Sequence, residues 1–516
     1  MAPPAWNIHT VAGFVSLGGL FYGLDTGAIG PITVMPQFLA TFSRYRSSTI
    51  QGVLVATFLM AASATCFFSG WLSGRISRKH TIMIGALVAA LGSALEAASV
   101  TWWMLLLGRL IAGAGEGIFL GPCGVYLIEL SPPNVRGQIT TMLQVFITVG
   151  VCCGYFICYG SVNLHSNFSW RTPFIIQSVV ALTLAVGMHR LPYSPRWLLQ
   201  VGREEEAWIV MEQFDRHGVE REKEDFLVRL SSGTNNATLK ETMRDPTTRW
   251  RAILAMFLMG MQQLSGIDAV LYFAPLVFRQ AGLKSQQASF LASGVSGILL
   301  AAVTLPTHLV LMDRWGRRPS TIWGGVGQGV CMFIIAMLYA SGGSKALAGK
   351  WIIISLIYVF LILFSVTWAV SLKLATIELQ PSRSRAVAAS LSQSICWVVN
   401  TCVALTTPVF LSAYPSGPYF LFAACLAITS IACVLFLPET LGRSLTEVDT
   451  LWNERTVKTN QLAQKLHLSF DGGRGGGRRR CDSDAEEHQN DIELRERRNM
   501  NENEEDSLGE TKTSTT

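Results

Sequence analysis

Runs of twenty or more apolar residues recur along the whole of this chain, and no other feature limits its fold as tightly. At 1.5 Å per residue, a helix of about 20 residues crosses the roughly 30 Å hydrocarbon core of a bilayer. Lipid offers no water to unpaired amides, so each run must close its own hydrogen bonds as a helix. Twelve runs stand at about 10–33, 51–72, 81–101, 102–128, 141–160, 173–191, 252–275, 289–311, 320–340, 351–376, 386–411 and 418–437. The balance of residues agrees. Only 15% of the 516 residues are charged and mean hydropathy is +0.36, where a soluble chain carries about 25% charged residues. The fold class is therefore an all-α membrane protein with twelve transmembrane helices. The opening "MAPPAWNIHT" has no basic n-region, and the run behind it is too long for a signal peptide, so it reads as a retained first span.

Charge sets topology here. The net charge of +6 is scattered through loops, with no basic patch of the kind that binds nucleic acid. With both termini cytoplasmic, the short inner loops hold Arg75, Arg78, Lys79, Arg136, Arg314, Arg317, Arg318, Arg383 and Arg385. The outer loops hold Arg44, Arg46, Arg171, Arg279, Lys284, Lys345 and Lys350. This is a positive-inside bias. It places the sequon at Asn167 outside, open to glycosylation, and the sequon at Asn236 inside. Ten of the eleven cysteines lie in or beside apolar runs with no CxxC pair, which marks them as small buried hydrophobes; no metal or cofactor site is expected.

The chain repeats itself. "ELSPPNVRG" from 129 returns as "ELQPSRSRA" from 378, "GRISRK" from 74 as "DRWGRR" from 313, and "PYSPRW" from 192 as "PETLGR" from 438. The offsets are 249, 239 and 246 residues, so the halves are copies. The expected domains are a six-helix bundle over 1–192, a charged cytosolic linker over 193–251, a second bundle over 252–452 and a disordered cytosolic tail over 453–516. Six plus six with a linker is the layout of carriers that rock two bundles about a midplane site. No selectivity-filter ring favours a channel, and no nucleophile–base set or nucleotide loop favours an enzyme.

The ordered motifs "YGLDTGAI", "GRLIAGAGEG", "YLIELSPPNVRG", "MLQVFITVG", "LPYSPRWLL", "QQLSGIDAVLYFAP", "DRWGRRP" and "PETLGRSLTEVD" resemble the sugar porters of the major facilitator superfamily, fungal type, over about 10–452. The resemblance implies alternating access to a sugar-like solute at the plasma membrane, by a carrier working as a monomer. A quinate-like acid, a polyol or an exported metabolite is the alternative cargo, and a non-transporting nutrient sensor the alternative role. It implies a gating latch of Arg75, Glu129, Arg136, Arg196, Asp313, Arg314, Arg317, Arg318, Glu378, Arg385 and Glu439, holding the two bundles together on the cytosolic side. The first copy departs from the pattern: Gly74 replaces an Asp, Ser77 a Gly and Tyr193 a Glu, which leaves the second half to carry more of the latch.

Solute recognition in this family uses amides and aromatics, since sugar hydroxyls both donate and accept and rings stack on apolar sugar faces. By resemblance the solute residues are Gln144, Gln262, Gln263, Trp397 and Asn400. Asp268 replaces a family Asn, Lys373 a Trp and Cys396 another Asn, and the eighth run offers Leu300 or Ala301 where an Asn is usual.

Asp25 stands within the first apolar run, where an acid costs roughly 2.5–3.5 kcal/mol to insert. It lies about eight residues, or roughly 12 Å, below the outer end of its run. Arg109 lies about seven residues, or roughly 10 Å, below the same surface in the fourth run. The depths agree, and the resemblance implies that the pair couples transport to protons. Glu116 sits two helical turns deeper than Arg109 on the same face, as a second protonatable site or a structural partner.

Overall fold

The computed structural model describes residues 7–132, 135–214, 238–283, 285–307, 315–381 and 384–441, together with Val448 and Trp452. The described residues form helices and turns, with no strand among them. The tail lies outside the described residues, as do 215–237 of the linker and the latch residues Asp313 and Arg314. We label the twelve spans α1 (Leu17–Val34, preceded by Ile8–Val15 across a break at Ser16), α2 (Ser48–Ile76), α3 (Arg78–Ala98), α4 (Trp102–Leu130), α5 (Arg136–Ser161) and α6 (Phe168–Met188). The second half holds α7 (Pro246–Gln263), α8 (Gln286–Pro306), α9 (Arg317–Ala340), α10 (Leu347–Val366), α11 (Arg385–Ala413) and α12 (Gly417–Phe436). Eleven spans are long and apolar enough to cross a membrane by composition. The twelfth is α1, which carries Asp25.

The second bundle starts earlier than its apolar run. Pro246 opens α7, and the Asp245 side chain accepts from the Thr248 amide at 3.1 Å. Proline at the first helical turn loses no hydrogen bond, and a preceding aspartate caps the free amides. The described part of the linker forms short helices at Pro195–Gln200, Glu204–Phe214 and Leu239–Arg244.

Lipid supplies no hydrophobic drive between helices, so small residues that admit close backbone contact decide which spans pair. Gly19, Gly23 and Gly27 fall four residues apart on α1 and face α5. A Cβ at Gly23 would stand 2.0 Å from the Ile147 carbonyl oxygen, and one at Gly27 2.3 Å from that of Val151. The same device joins α3 to α4, where a Cβ at Gly92 would meet the Ala112 amide at 2.2 Å.

Two helices of the second half are discontinuous. Beyond α7 the chain turns through Gly266, whose φ of +88° suits glycine, then resumes as Ile267–Tyr272 and Ala274–Gln280. Beyond α10 it breaks at Thr367 and resumes as Trp368–Glu378. Gln262 ties the two breaks together, its Nε2 donating to the Trp368 carbonyl at 2.9 Å.

The bundles meet chiefly through α2 against α11 and α5 against α8. With an even number of spans in each bundle, the start of α1, the end of α12 and the described linker helices share one side, the linker side. Close contacts between bundles gather in the opposite half: Tyr155 donates to the Leu271 carbonyl at 2.6 Å, and the Ser48 and Ser412 hydroxyls stand 3.3 Å apart. A Cβ at Gly52 would lie 2.5 Å from the Leu405 carbonyl oxygen, and one at Gly30 2.0 Å from that of Tyr272.

Gly23→Ala should lower the melting temperature in detergent, as overpacking of about 1–3 kcal/mol requires. Gly70→Ala, where a Cβ meets nothing within 4 Å, should leave it unchanged or raised. Equal melting for the two variants would remove the glycine contact as the basis of the α1–α5 pairing.

Candidate functional site

A buried charge cluster occupies the first bundle. The Arg109 guanidinium is fully buried and binds both carboxylate oxygens of Asp25, Nη1 to Oδ1 and Nη2 to Oδ2, the latter at 3.1 Å. Its Nε donates to the Leu54 carbonyl at 3.4 Å, and the Phe58 ring lies 4.3 Å from its centre. The sequence places Asp25 and Arg109 at one depth, and the structure joins them. A bidentate pair of this kind is among the stronger polar contacts a protein makes.

Two further acids share the site. Glu116 is fully buried, within electrostatic reach of Asp25 and Arg109, and neither of its oxygens has a hydrogen-bond partner. Glu96 of α3 is equally buried, and its Oε2 lies 3.9 Å from Arg109 Nη1. The sequence reading misses Glu96, although an acid in an apolar run is the same signal that singles out Asp25.

Between the bundles a second polar cluster forms. Asn400 of α11 donates to Asp268 at 2.8 Å and to the Tyr272 hydroxyl at 3.1 Å. The Tyr22 ring of α1 meets the Trp397 ring of α11 edge to face at 5.5 Å. The cluster therefore reaches from one bundle into the other. Gln263 Nε2 donates to Cys396 Sγ at 2.9 Å, and its Oε1 is buried without a partner. Asp268 and Lys373 form no ion pair. Lys373 does not run out to the membrane surface either: its ammonium points across to Gln144 of α5, with Nζ and Oε1 3.5 Å apart.

At the linker side Glu129 pairs with Arg78, at 3.0 Å, and Arg75 lies over the Trp71 ring at 4.7 Å. Two described ion pairs at helix ends on the linker side close within a bundle: Arg78–Glu129 in the first, and Arg317–Glu378 at 3.5 Å in the second. Helix ends explain this. Glu129 closes α4 and Glu378 closes the continuation of α10, while Arg78 and Arg317 open α3 and α9, and in each bundle these ends pack side by side. Ser194 and Thr440 complete the repeat, their hydroxyls donating to Glu129 and Glu378 respectively. Arg385 Nη2 donates to the Gln380 carbonyl at 3.2 Å, and Arg196 is exposed. The Arg136 side chain lies outside the described residues.

The copies diverge at Tyr193 and Glu439. Glu439 accepts from the Arg317 and Arg318 amides at 2.9 and 3.1 Å, an anion on the positive end of α9. Tyr193 cannot do this, and Ser77 caps α3 in its stead, accepting from the His80 amide at 3.2 Å. The Tyr193 ring takes the neighbouring cation, with Lys79 Nζ 4.8 Å from its centroid.

Two copied bundles, discontinuous helices in the second and a polar cluster spanning both define a membrane transporter, not an enzyme. The model of the "sugar (and other) transporter" family matches residues 11–452, and the chain belongs to that family. It is 31% identical over 445 residues to the glucose transporter GlcP of Staphylococcus epidermidis, covering 86% of this chain and 96% of that one. It is 26% identical over 495 residues to the MFS-type transporter qa-x of Neurospora crassa, covering 90% and 92%. An inward-open structure of the xylose transporter XylE from E. coli superposes with a TM-score of 0.70 at 21% identity, covering 86% of this chain and all of the other. This is the twelve-helix fold that the apolar runs call for.

Arg78→Ala leaves the Glu129 carboxylate with only Ser194 and should cost about 1–3 kcal/mol of stability. Arg75→Ala, which removes an exposed side chain from a ring, should cost under about 1 kcal/mol. Denaturation of the two purified variants, compared with the parent, checks the order.

Proposed function

We propose that this chain carries a sugar across the cell membrane as a single polypeptide, coupled to a proton taken up by Asp25. The observation that carries the coupling is the fully buried Asp25–Arg109 pair. Both partners belong to the first bundle, so rocking of the bundles does not part them; a proton on the Asp25 carboxylate removes the charge that holds Arg109. The relatives named as glucose transporters support a hexose-like cargo. The linker side is the cytosolic side by the distribution of Lys and Arg, with both termini inside. Asn167 then faces outward at the exposed start of α6, where glycosylation is expected.

The solute site is the cluster between the bundles. Gln144, Gln262, Gln263, Asp268, Trp397 and Asn400 offer amides, a carboxylate and a ring to hydroxyls, and Lys373 adds a cation. Gln262 already spends one amide hydrogen on Trp368, so it also holds the α7 and α10 breaks in register. The acid–arginine sets at the linker side brace each bundle as a rigid body, and the bundles move as units about the site.

Asp25→Asn keeps size and hydrogen bonding but cannot titrate. It should abolish uphill accumulation of labelled hexose and its sensitivity to a protonophore, yet retain exchange of labelled for unlabelled solute per molecule at the surface. Accumulation against a gradient by Asp25→Asn would remove the carboxylate from coupling. Gln263→Ala should raise the apparent KM about 5- to 100-fold at equal surface expression, the effect of about 1–3 kcal/mol of lost pairing.

A further inference from the structure

We infer that Glu96 is a second counter-ion of Arg109, a positioning residue that takes over the guanidinium each time Asp25 binds a proton. The inference rests on the proposed coupling role of Asp25. Arginine carries five N–H donors. Asp25 takes two and the Leu54 carbonyl one, which leaves one hydrogen on Nη1 and one on Nη2. The atom nearest Glu96 is Nη1, 3.9 Å from Oε2, and both Glu96 oxygens are otherwise without a partner. The approach is built into the backbone. Gly108, beside Arg109, leaves the space that the Glu96 side chain fills, for a Cβ there would stand 2.7 Å from Glu96 Cγ.

The step balances simply. A proton from solvent adds to the Asp25 carboxylate. Arg109 keeps all its protons, gives up Asp25 and turns Nη1 to the Glu96 carboxylate. Release of the proton on the other side restores the Asp25–Arg109 pair. With Glu96 in place, protonation of Asp25 never leaves a buried guanidinium without an anion, a state that breaking a buried pair makes strongly unfavourable. The charged and titratable groups facing the cluster are Asp25 and Tyr22 from α1, Cys66 from α2, Glu116 from α4 and Tyr272 from the second bundle. Arg171 of α6 reaches the Ser99 carbonyl, three residues beyond Glu96, at 3.0 Å.

Glu96→Gln removes the reserve anion, so proton-coupled uptake should demand a more acid medium. In hexose uptake, measured per molecule at the surface, the half-maximal pH should move to the acid side by about one unit, a roughly tenfold change in proton affinity. Solute exchange at acid pH should stay near the parental rate, which a merely structural role would not predict. A pH profile that overlies the parental one overturns the inference. If Glu96→Gln does not reach the membrane, Glu96→Asp carries the test: its carboxylate is drawn back by one methylene, the acid shift is again expected, and an unchanged midpoint again overturns it. A second arm compares Asp25→Asn with Asp25→Asn/Glu96→Gln. The single variant should fold with Glu96 holding Arg109, and the double should fall about tenfold in surface level or lose melting temperature; equal levels and melting overturn the inference. Uphill accumulation by Asp25→Asn would defeat the proton reading alone, because the comparison of single and double variants still judges Glu96.

Discussion

A polar group carried into hydrocarbon must find its partner inside the protein, and most of this structure follows from that requirement. It makes every span a helix. It also sets polar side chains against backbone beside a break, as Gln262 stands against the Trp368 carbonyl. Its strongest expression is Arg109, a guanidinium with no exposed surface, around which α1, α2, α3 and α4 each present a group: Asp25, the Leu54 carbonyl and Phe58 ring, Glu96, and Glu116 from its own helix. Close approach of these helices through glycine brings the side chains within reach of one another.

The two halves show how a duplicated network drifts while its geometry persists. In both, an arginine opening the third helix meets a glutamate closing the fourth, and a hydroxyl after the sixth completes the set. One position has changed chemistry. Glu439 binds helix amides, whereas Tyr193 stacks on Trp197 at 5.5 Å and takes Lys79 on its ring. Loss of the carboxylate coincides with Ser77 capping its own helix in a left-handed conformation, φ +95°, that glycine would adopt with less strain. The first half is thus not simply weaker; it satisfies the same helix end by a local hydroxyl and a ring.

How much of this is legible in the sequence depends on the range of the physics. The spans follow from composition alone, and the Asp25–Arg109 pair follows from counting residues down two helices. Partner choice within a cluster does not. Arg75 and Arg78 differ by less than one turn, and only the packing of helix ends shows that Arg78 reaches Glu129. Lys373 is ambiguous for a related reason, since a long flexible side chain near a helix end can run to the interface or across to a neighbour, and Gln144 decides which. Glu96 is different. Its place in an apolar run is enough to mark it as costly, and it goes unnoticed because no motif contains it.

The contacts sealing the half opposite the linker are of an unusual kind for a gate. Gly30 and Gly52 rest against the carbonyls of Tyr272 and Leu405, and Tyr155 and the Ser48–Ser412 pair add neutral hydrogen bonds. Parting these described contacts separates no opposite charges. Its barrier is set by dispersion and by the rehydration of neutral groups, neither of which is screened by dissolved ions. Such a gate opens with the same ease in dilute and concentrated media.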